Sequence, residues 1–255
     1  MPLTLTPLNG IPFIHAGDDL FQIMLKAVDE TGIHLATGDI LVIAQKIISK
    51  AEGRLVNLST VKPSPRAVEI AGITEKDPRF VELVLQESKQ VLRMRQNTLI
   101  VEHRNGYVCA NAGIDHSNVQ GDWGNAEDWV LLLPEDSDRS AQQLCSAFDQ
   151  RLGIQIGVLI IDSHGRAWRL GTVGTTIGVG GMPALVDLRG KPDLLGFRLR
   201  ITQVAAADEL AAAASLVMGQ ADEASPVVHV RGFPYPLREG SFQELVRPSE
   251  LDLFR

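Results

Sequence analysis

Apolar residues along this chain fall into short runs whose period changes from one segment to the next. Ile40 to Ala44 and Ile154 to Ile161 are nearly unbroken apolar runs of strand length, as are Trp129 to Leu133 and Val227 to Arg231. Asp18 and Asp19 stand directly before Leu20, Phe21, Ile23, Met24, Ala27 and Val28. That spacing predicts an N-capped amphipathic helix ending near Gly32. Pro63 to Leu92 reads as two helices broken near Asp77-Pro78. Ser140 to Leu152 reads as another helix, and so does the alanine-rich stretch from Asp208 to Met218, stopped by Gly219. A short N-terminal strand precedes the turn at Asn9 to Pro12. Thr98 to Glu102 and Tyr107 to Cys109 read as strands joined through Asn105-Gly106, a strong hairpin signal. Strands and helices are mixed without regular strand–helix–strand spacing, so an α+β fold is expected.

Composition narrows the class of protein. With 255 residues and 45% hydrophobic content, the chain can bury a full core as one large domain or two small ones. A single unit over residues 1–255 is the expectation, and any division into two subdomains falls near residues 60–95, where no linker marks it. The net charge of −7 argues against wholesale binding to nucleic acid or an anionic membrane, though it leaves room for a local basic pocket. Met1 to Thr6 has neither a basic start nor a long apolar core, and no segment holds 18 uncharged apolar residues. A cytoplasmic protein is expected. Two cysteines are too few for a disulfide framework. Cys109 sits in a strand pattern and Cys145 in a helical one, so both read as buried thiols, and no evident base accompanies Cys109.

Candidate chemistry gathers in a few loops. From Cys109 to Asn118 the apolar run stops, and four short polar side chains follow: Asn111, Asp115, Ser117 and Asn118. They fit either a polar turn or a binding loop on a rigid scaffold. Gln45 to Arg54 offers Lys46, Lys50 and Arg54 to a phosphate chain, with Ser49 as an added donor, or else forms a solvated basic turn. Asp162 and Ser163 end an apolar strand, an arrangement that suits Mg²⁺ or Mn²⁺. Asp115 and Asp162, both read at strand ends and followed by hydroxyl residues, point to a shared metal site. His116 and His164 lack ligand spacing and read as hydrogen-bonding or exposed loop residues. Gly171 to Pro183 matches neither a phosphate loop nor a dinucleotide fingerprint. It fits an anion wrap and a tight structural connection equally well. Gln220, Asp222 and Glu223 follow the helix stop at Gly219 and fit an ordinary loop.

Taken in order, these segments resemble a known family. Gly10 to Pro12, Gly17 to Leu20, Ile48 to Gly53, Asn111 to Asp115 with Ser117 to Val119, Asp162 with Gly165-Arg166, and Met218-Gly219 with Val230 to Gly232 together look like coenzyme F420-0:L-glutamate ligase. The resemblance runs from about residue 8 to about residue 245, and no room is expected for the nitroreductase-like domain fused to some members. It implies the family's own α+β fold of mixed and antiparallel sheets with helices, in an intertwined homodimer. It implies a GTP-dependent amide ligase using Mg²⁺ or Mn²⁺, helped by K⁺, that adds L-glutamate to F420-0 and in many members adds further γ-linked glutamates. Asp115 and Asp162 fall on the family's metal-binding aspartates, Ser163 on a neighbouring hydroxyl position, and Asn118 on a guanine-nucleotide contact. Lys50 matches a phosphate-contacting lysine with a catalytic role; Gly10, Ile11, Pro12, Gln45 and Lys46 match other parts of the nucleotide site. Gln220 falls where some relatives place a glutamate near a second metal, and its amide oxygen can still ligate a hard cation without adding charge. Asp222-Glu223 replaces a glycine-rich stretch. Arg166 and Arg169 are candidates for holding the phosphodiester of F420-0 or the glutamate carboxylates.

A carboxylate is a poor electrophile, so GTP would first convert it to an acyl phosphate, which the glutamate amine then opens, leaving GDP and phosphate. Two other classes compete. A metal-dependent phosphohydrolase using Asp115 and Asp162 would release phosphate without acceptors, and a non-catalytic guanine-nucleotide-binding protein would bind without turnover.

Overall fold

Leu41, Val42 and Ile43 are wholly shielded from solvent, as their unbroken apolar run requires, and lie in the middle of a five-stranded sheet. The computed structural model describes residues 2–253. In order come β1 (Thr4–Pro7), α1 (Leu20–Glu30), β2 (Ile40–Ala44), α2 (Gln45–Ala51), β3 (Leu55–Asn57), α3 (Pro65–Thr74) and α4 (Pro78–Gln86). Next are β4 (Ser88–Arg95), β5 (Thr98–His103), β6 (Val108–Ala110), β7 (Trp129–Leu131) and α5 (Ser137–Leu152). The chain then forms β8 (Gly157–Arg166), β9 (Arg169–Gly180), β10 (Val186–Asp187), β11 (Gln203–Val204), α6 (Ala206–Met218) and β12 (Val227–Arg231).

The large sheet runs β1-β12-β2-β8-β9. Only β2 and β8 are parallel, from Ile40 opposite Gly157 to Ala44 opposite Ile161; the other neighbours are antiparallel. The α+β expectation with mixed sheets holds. Side chains of successive strand residues point to opposite faces. Leu41, Ile43, Val158 and Ile160 therefore join one core with Phe21, Met24 and Phe148 from α1 and α5. Ile40, Val42, Leu159 and Ile161 join another with Leu210, Ala211 and Ala214 of α6. A third core, running from Leu58 to Leu132, fills the space between α3, α4 and the antiparallel sheet β4-β5-β6. No helix among the described residues is long and apolar enough to cross a membrane.

Local chemistry explains the starts of α1, α3, α4 and α5. Asp19 accepts from Gln22 N at 3.2 Å and caps α1, and Asp136 accepts from Arg139 N at 3.0 Å and caps α5. Pro65 and Pro78 open α3 and α4 at the first helical position. Two expected elements differ. The second helix of the Pro63–Leu92 segment stops at Gln86, and residues 88–95 form β4, paired along β5. Pairing with a neighbouring strand overrides the local helical pattern there. Gln45 to Ala51 is a helix, not a basic turn.

The glycine-rich stretch resolves in favour of its structural reading. Gly174, Gly178 and Gly180 lie within β9, where the helices press against the strand backbone. A Cβ on Gly178 would stand 2.5 Å from the Ser137 carbonyl oxygen, and one on Gly174 would stand 2.5 Å from that of Ala211. Gly178→Ala should therefore destabilise the protein by about 1–3 kcal/mol, since backbone on both sides cannot yield. A thermal melt should show a drop of roughly 2–4 °C per kcal/mol. An unchanged melting temperature would mean that α5 can move away without loss.

At the start of β2, Asp39 is 2% exposed. It accepts from Arg231 Nε at 2.8 Å and Nη2 at 2.6 Å, and from Ala36 N at 2.9 Å, with His229 Nε2 at 2.9 Å. This cluster clamps β2 to β12 at the end opposite to the one from which α2 departs.

Candidate active site

Ala44 ends β2 and leads directly into α2, so the carboxyl end of the strand delivers Gln45, Lys46 and Lys50 to one place. The neighbouring parallel strand β8 brings Asp162 there, one residue beyond Ile161, the partner of Ala44. Asp162 is not at a strand end: β8 continues to Arg166, and Asp162 pairs with Thr175 in β9. Asp115 does lie beyond a strand end, that of β6, and is reached through an unusual backbone. Asn111, Ala112 and Gly113 have φ of 53°, 54° and 69°. These three left-handed residues turn the chain sharply, and buried Ala112 packs into the third core to hold the turn. Asp115 then exchanges two backbone hydrogen bonds with Leu131, at 2.9 Å and 3.0 Å, a short bridge that fixes its direction.

These segments line a pocket of about 530 Å³. Asp115, Asp162, Ser163, Lys46 and Gln45 form its polar end, and Ile11, Pro12, Phe13 and Pro226 contribute an apolar side. Gln45 Nε2 donates to Asp115 Oδ2 at 2.5 Å, and the Lys46 ammonium contacts the same oxygen. Gln45 is itself fixed by Ser49 Oγ, which donates to its Oε1 at 2.8 Å. Asp162 Oδ1 accepts from Ser163 N at 2.8 Å, and Oδ2 lies 2.9 Å from His164 Nε2. Ser163 Oγ donates to Gln220 Oε1 at 2.8 Å, and Gln220 Nε2 donates to Ser215 Oγ at 3.0 Å.

Their environments shift the two carboxylates in opposite directions. Burial pushes the Asp115 carboxyl up; Lys46 pulls against this, and the Asp162 charge adds to the rise. Burial also works against the Asp162 charge, but the His164 hydrogen bond and its neighbours outweigh it and hold that carboxyl below the usual range. Burial and the charge of Lys46 lower the Lys50 ammonium. Cys109, pushed up to about 12 by burial, is inert as a nucleophile.

Most sequence-nominated residues converge here. Ile11, Pro12, Gln45, Lys46, Lys50, Asp115, Asn118, Asp162, Ser163 and Gln220 all line the pocket. Gly10 does not; it has a positive φ of 76°, and a Cβ there would meet the Glu30 carboxylate. Arg166 and Arg169 are exposed on the β8–β9 turn and do not line the pocket either. Asn118 Nδ2 lies 3.4 Å from the Ala221 carbonyl, spanning from the Asp115 loop to the loop after α6. Glu223, read as an ordinary loop acid, lines the pocket and accepts from Ala221 N at 2.8 Å. Ser215 and the His164 contact to Asp162 escaped the sequence reading. The period of two along a strand would have put His164 beside Asp162, had β8 been carried past Ile161. No group of three or more His, Cys, Asp or Glu side chains is arranged to hold a metal among the described residues. The oxygens gathered here come instead from two carboxylates, a hydroxyl and an amide.

The family model for F420-0:Gamma-glutamyl ligase matches residues 10–232. The chain belongs to the F420-0:gamma-glutamyl ligase family. Every pocket segment from Ile11 to Pro226 falls within the matched span. Among curated members, the coenzyme F420:L-glutamate ligase of Methanothermobacter thermautotrophicus is 47% identical over 257 residues, covering all of both chains. Those of Methanopyrus kandleri and Archaeoglobus fulgidus are 43% and 41% identical, over 95% and 100% of this chain and 93% and 97% of theirs. As a gamma-glutamyl ligase family member, the chain is an enzyme.

Proposed function

We propose that this chain is a GTP-dependent ligase that joins L-glutamate to coenzyme F420-0 through an amide bond, working as one unit in the cytoplasm. The observation that carries this reading is the convergence of Asp115 and Asp162 with Lys46 on one pocket, in a chain so similar over its whole length to named F420 ligases. Hard oxygen donors suit Mg²⁺ or Mn²⁺ rather than a metal that prefers nitrogen or sulfur. Asp115, Asp162, Ser163 and Gln220 would hold such ions; Gln220 adds no charge to a second site. When bound, the metal would neutralise charge on the β- and γ-phosphates. K⁺ as a helper ion, a homodimeric assembly and the addition of further γ-linked glutamates belong to the same proposal.

The chain's own side chains have distinct tasks. Lys46 and Lys50 present cations to the phosphates, while Ile11, Pro12 and Asn118 bound the space for the nucleotide. A carboxylate oxygen of F420-0 attacks the γ-phosphorus, and GDP leaves. The glutamate amine then adds to the acyl carbon of the resulting acyl phosphate, loses a proton and expels phosphate. Orientation and fixed charge supply the rate, without a covalent enzyme nucleophile.

Incubation with GTP, Mn²⁺, L-glutamate and F420-0 should give a product heavier by one glutamyl residue, with GDP formed only when both acceptors are present. Phosphate release without acceptors would favour a phosphohydrolase instead. GTP binding with no turnover would favour a non-catalytic role.

A further inference from the structure

The Asp162 carboxylate meets a residue two places along the same strand. His164 Nε2 lies 2.9 Å from Asp162 Oδ2. An ionised carboxylate only accepts, so the imidazole must donate from Nε2. The ring is only 11% exposed and is itself held: Tyr107 packs against it at 5.9 Å between centroids. Tyr107 stacks in turn on His103 at 4.6 Å and 12°, and Phe242 meets it edge-on at 5.3 Å. The far end of this stack is fixed too. His103 Nδ1 accepts from Asn105 N at 3.0 Å, and its Nε2 faces Glu87, which Arg54 holds at 2.9 Å. A chain of rings thus runs from a buried ion cluster to the carboxylate in the pocket.

We propose that His164 is a positioning residue for the metal-binding carboxylate: its Nε2–H fixes Asp162 Oδ2 so that the remaining lone pairs face the pocket. This rests on the proposed role of Asp162 as a metal ligand. His164 donates to the ligand and does not bind the ion. Hydrogen-bond partners of ligating groups commonly govern metal affinity by 10- to 100-fold. The side chain next to it, Ser163, points to Gln220, so the two residues divide the work of the strand.

The test compares His164→Phe, which keeps a ring against Tyr107 but removes the donor, with His164→Gln, whose amide nitrogen reaches about as far as Nε2. Mn²⁺ binding is read directly, from the loss of the free-ion signal in electron paramagnetic resonance, alongside the Mn²⁺ dependence of ligation and the melting temperature. H164F should weaken Mn²⁺ binding about 10-fold or more, with its melting temperature within a few degrees of the parent's, and H164Q should recover most of the affinity. Parent-like Mn²⁺ affinity in H164F overturns the proposal. So does a ¹⁴N coupling from a directly bound imidazole in the pulsed spectrum of the parent's Mn²⁺ complex. If H164F does not fold, parent-like affinity in His164→Leu has the same force. A parent protein that binds no Mn²⁺ would overturn the metal reading itself, an outcome distinct from any result on the variants.

Discussion

Asp115→Asn is expected to lower formation of the glutamylated product by about 10²–10³-fold, the scale of removing one preorganised electrostatic group from a reacting centre. The same change should leave the melting temperature at or above that of the parent protein. The two halves of this expectation have one cause. Burial raises the Asp115 carboxyl, so the folded protein holds that charge at an energetic disadvantage relative to the unfolded chain. Asparagine keeps the shape and removes the disadvantage at neutral pH. It also keeps an oxygen to accept from Gln45. The Lys46 contact becomes weaker, which offsets part of the gain. Residues retained at such a cost are typical of sites rather than of cores. A variant with a tenth of parental activity would remove Asp115 from the reaction. A fall of several degrees in melting temperature would make it a structural carboxylate.

Asp39→Ala should have the opposite profile, with a large loss of stability and activity reduced only through unfolding. The carboxylate is buried and meets Arg231, His229 and Ala36. Removing it strands these donors, at about 3 kcal/mol, the lower end of the range for breaking a buried pair. The lower end applies because the Arg231 side chain is 36% exposed and can turn to water. The melting temperature should fall by roughly 6–12 °C. The pH dependence follows from the direction of its shift. Burial opposes the Asp39 charge, yet the bonds from Arg231 and His229 prevail and hold the carboxyl below its ordinary value. A lowered carboxyl adds stability above the unfolded value, near ~3.9, and loses it as pH falls through the folded one. The gap between parent and variant should therefore be full at neutral pH and close only below about pH 4. A gap that stayed constant down to acid pH would show that packing, not charge, holds the two strands. Pairing D39A with Arg231→Met should lose less than the sum of the single changes.

The elements most readable in the sequence are those that complete their own patterns. Ile40–Ala44 is a strand with the expected bounds, and the Asp19 cap fixes the start of α1. The segment after α4 is ambiguous because tertiary pairing decides it: β4 has mixed polarity, and only β5 beside it makes it a strand. The pocket was legible as a list of residues, because Asp115, Asp162 and the α2 lysines carry recognisable chemistry. Their geometry was not. The left-handed run at Asn111 to Gly113 has no signature beyond its glycine, and the Asp162–His164 contact depends on a strand continuing through polar residues that look like a loop. The glycine-rich stretch had two readings of equal weight, and only contact with α5 and α6 decides between them.

That contact also sets a dimension of the pocket. Gly174 pairs with Ser163 across the hairpin, and α6 touches Gly174 at Ala211 and Ser215. The thickness of one missing methyl group thus determines how near the end of α6 comes to the strand carrying Asp162. Gln220 meets Ser163 at 2.8 Å only because of that nearness. This part of the pocket is gauged from behind, by Gly174 and Ala211, which do not line it. Enlarging Gly174 or Ala211 would open the Ser163–Gln220 seam while leaving every pocket-lining side chain in the sequence unchanged.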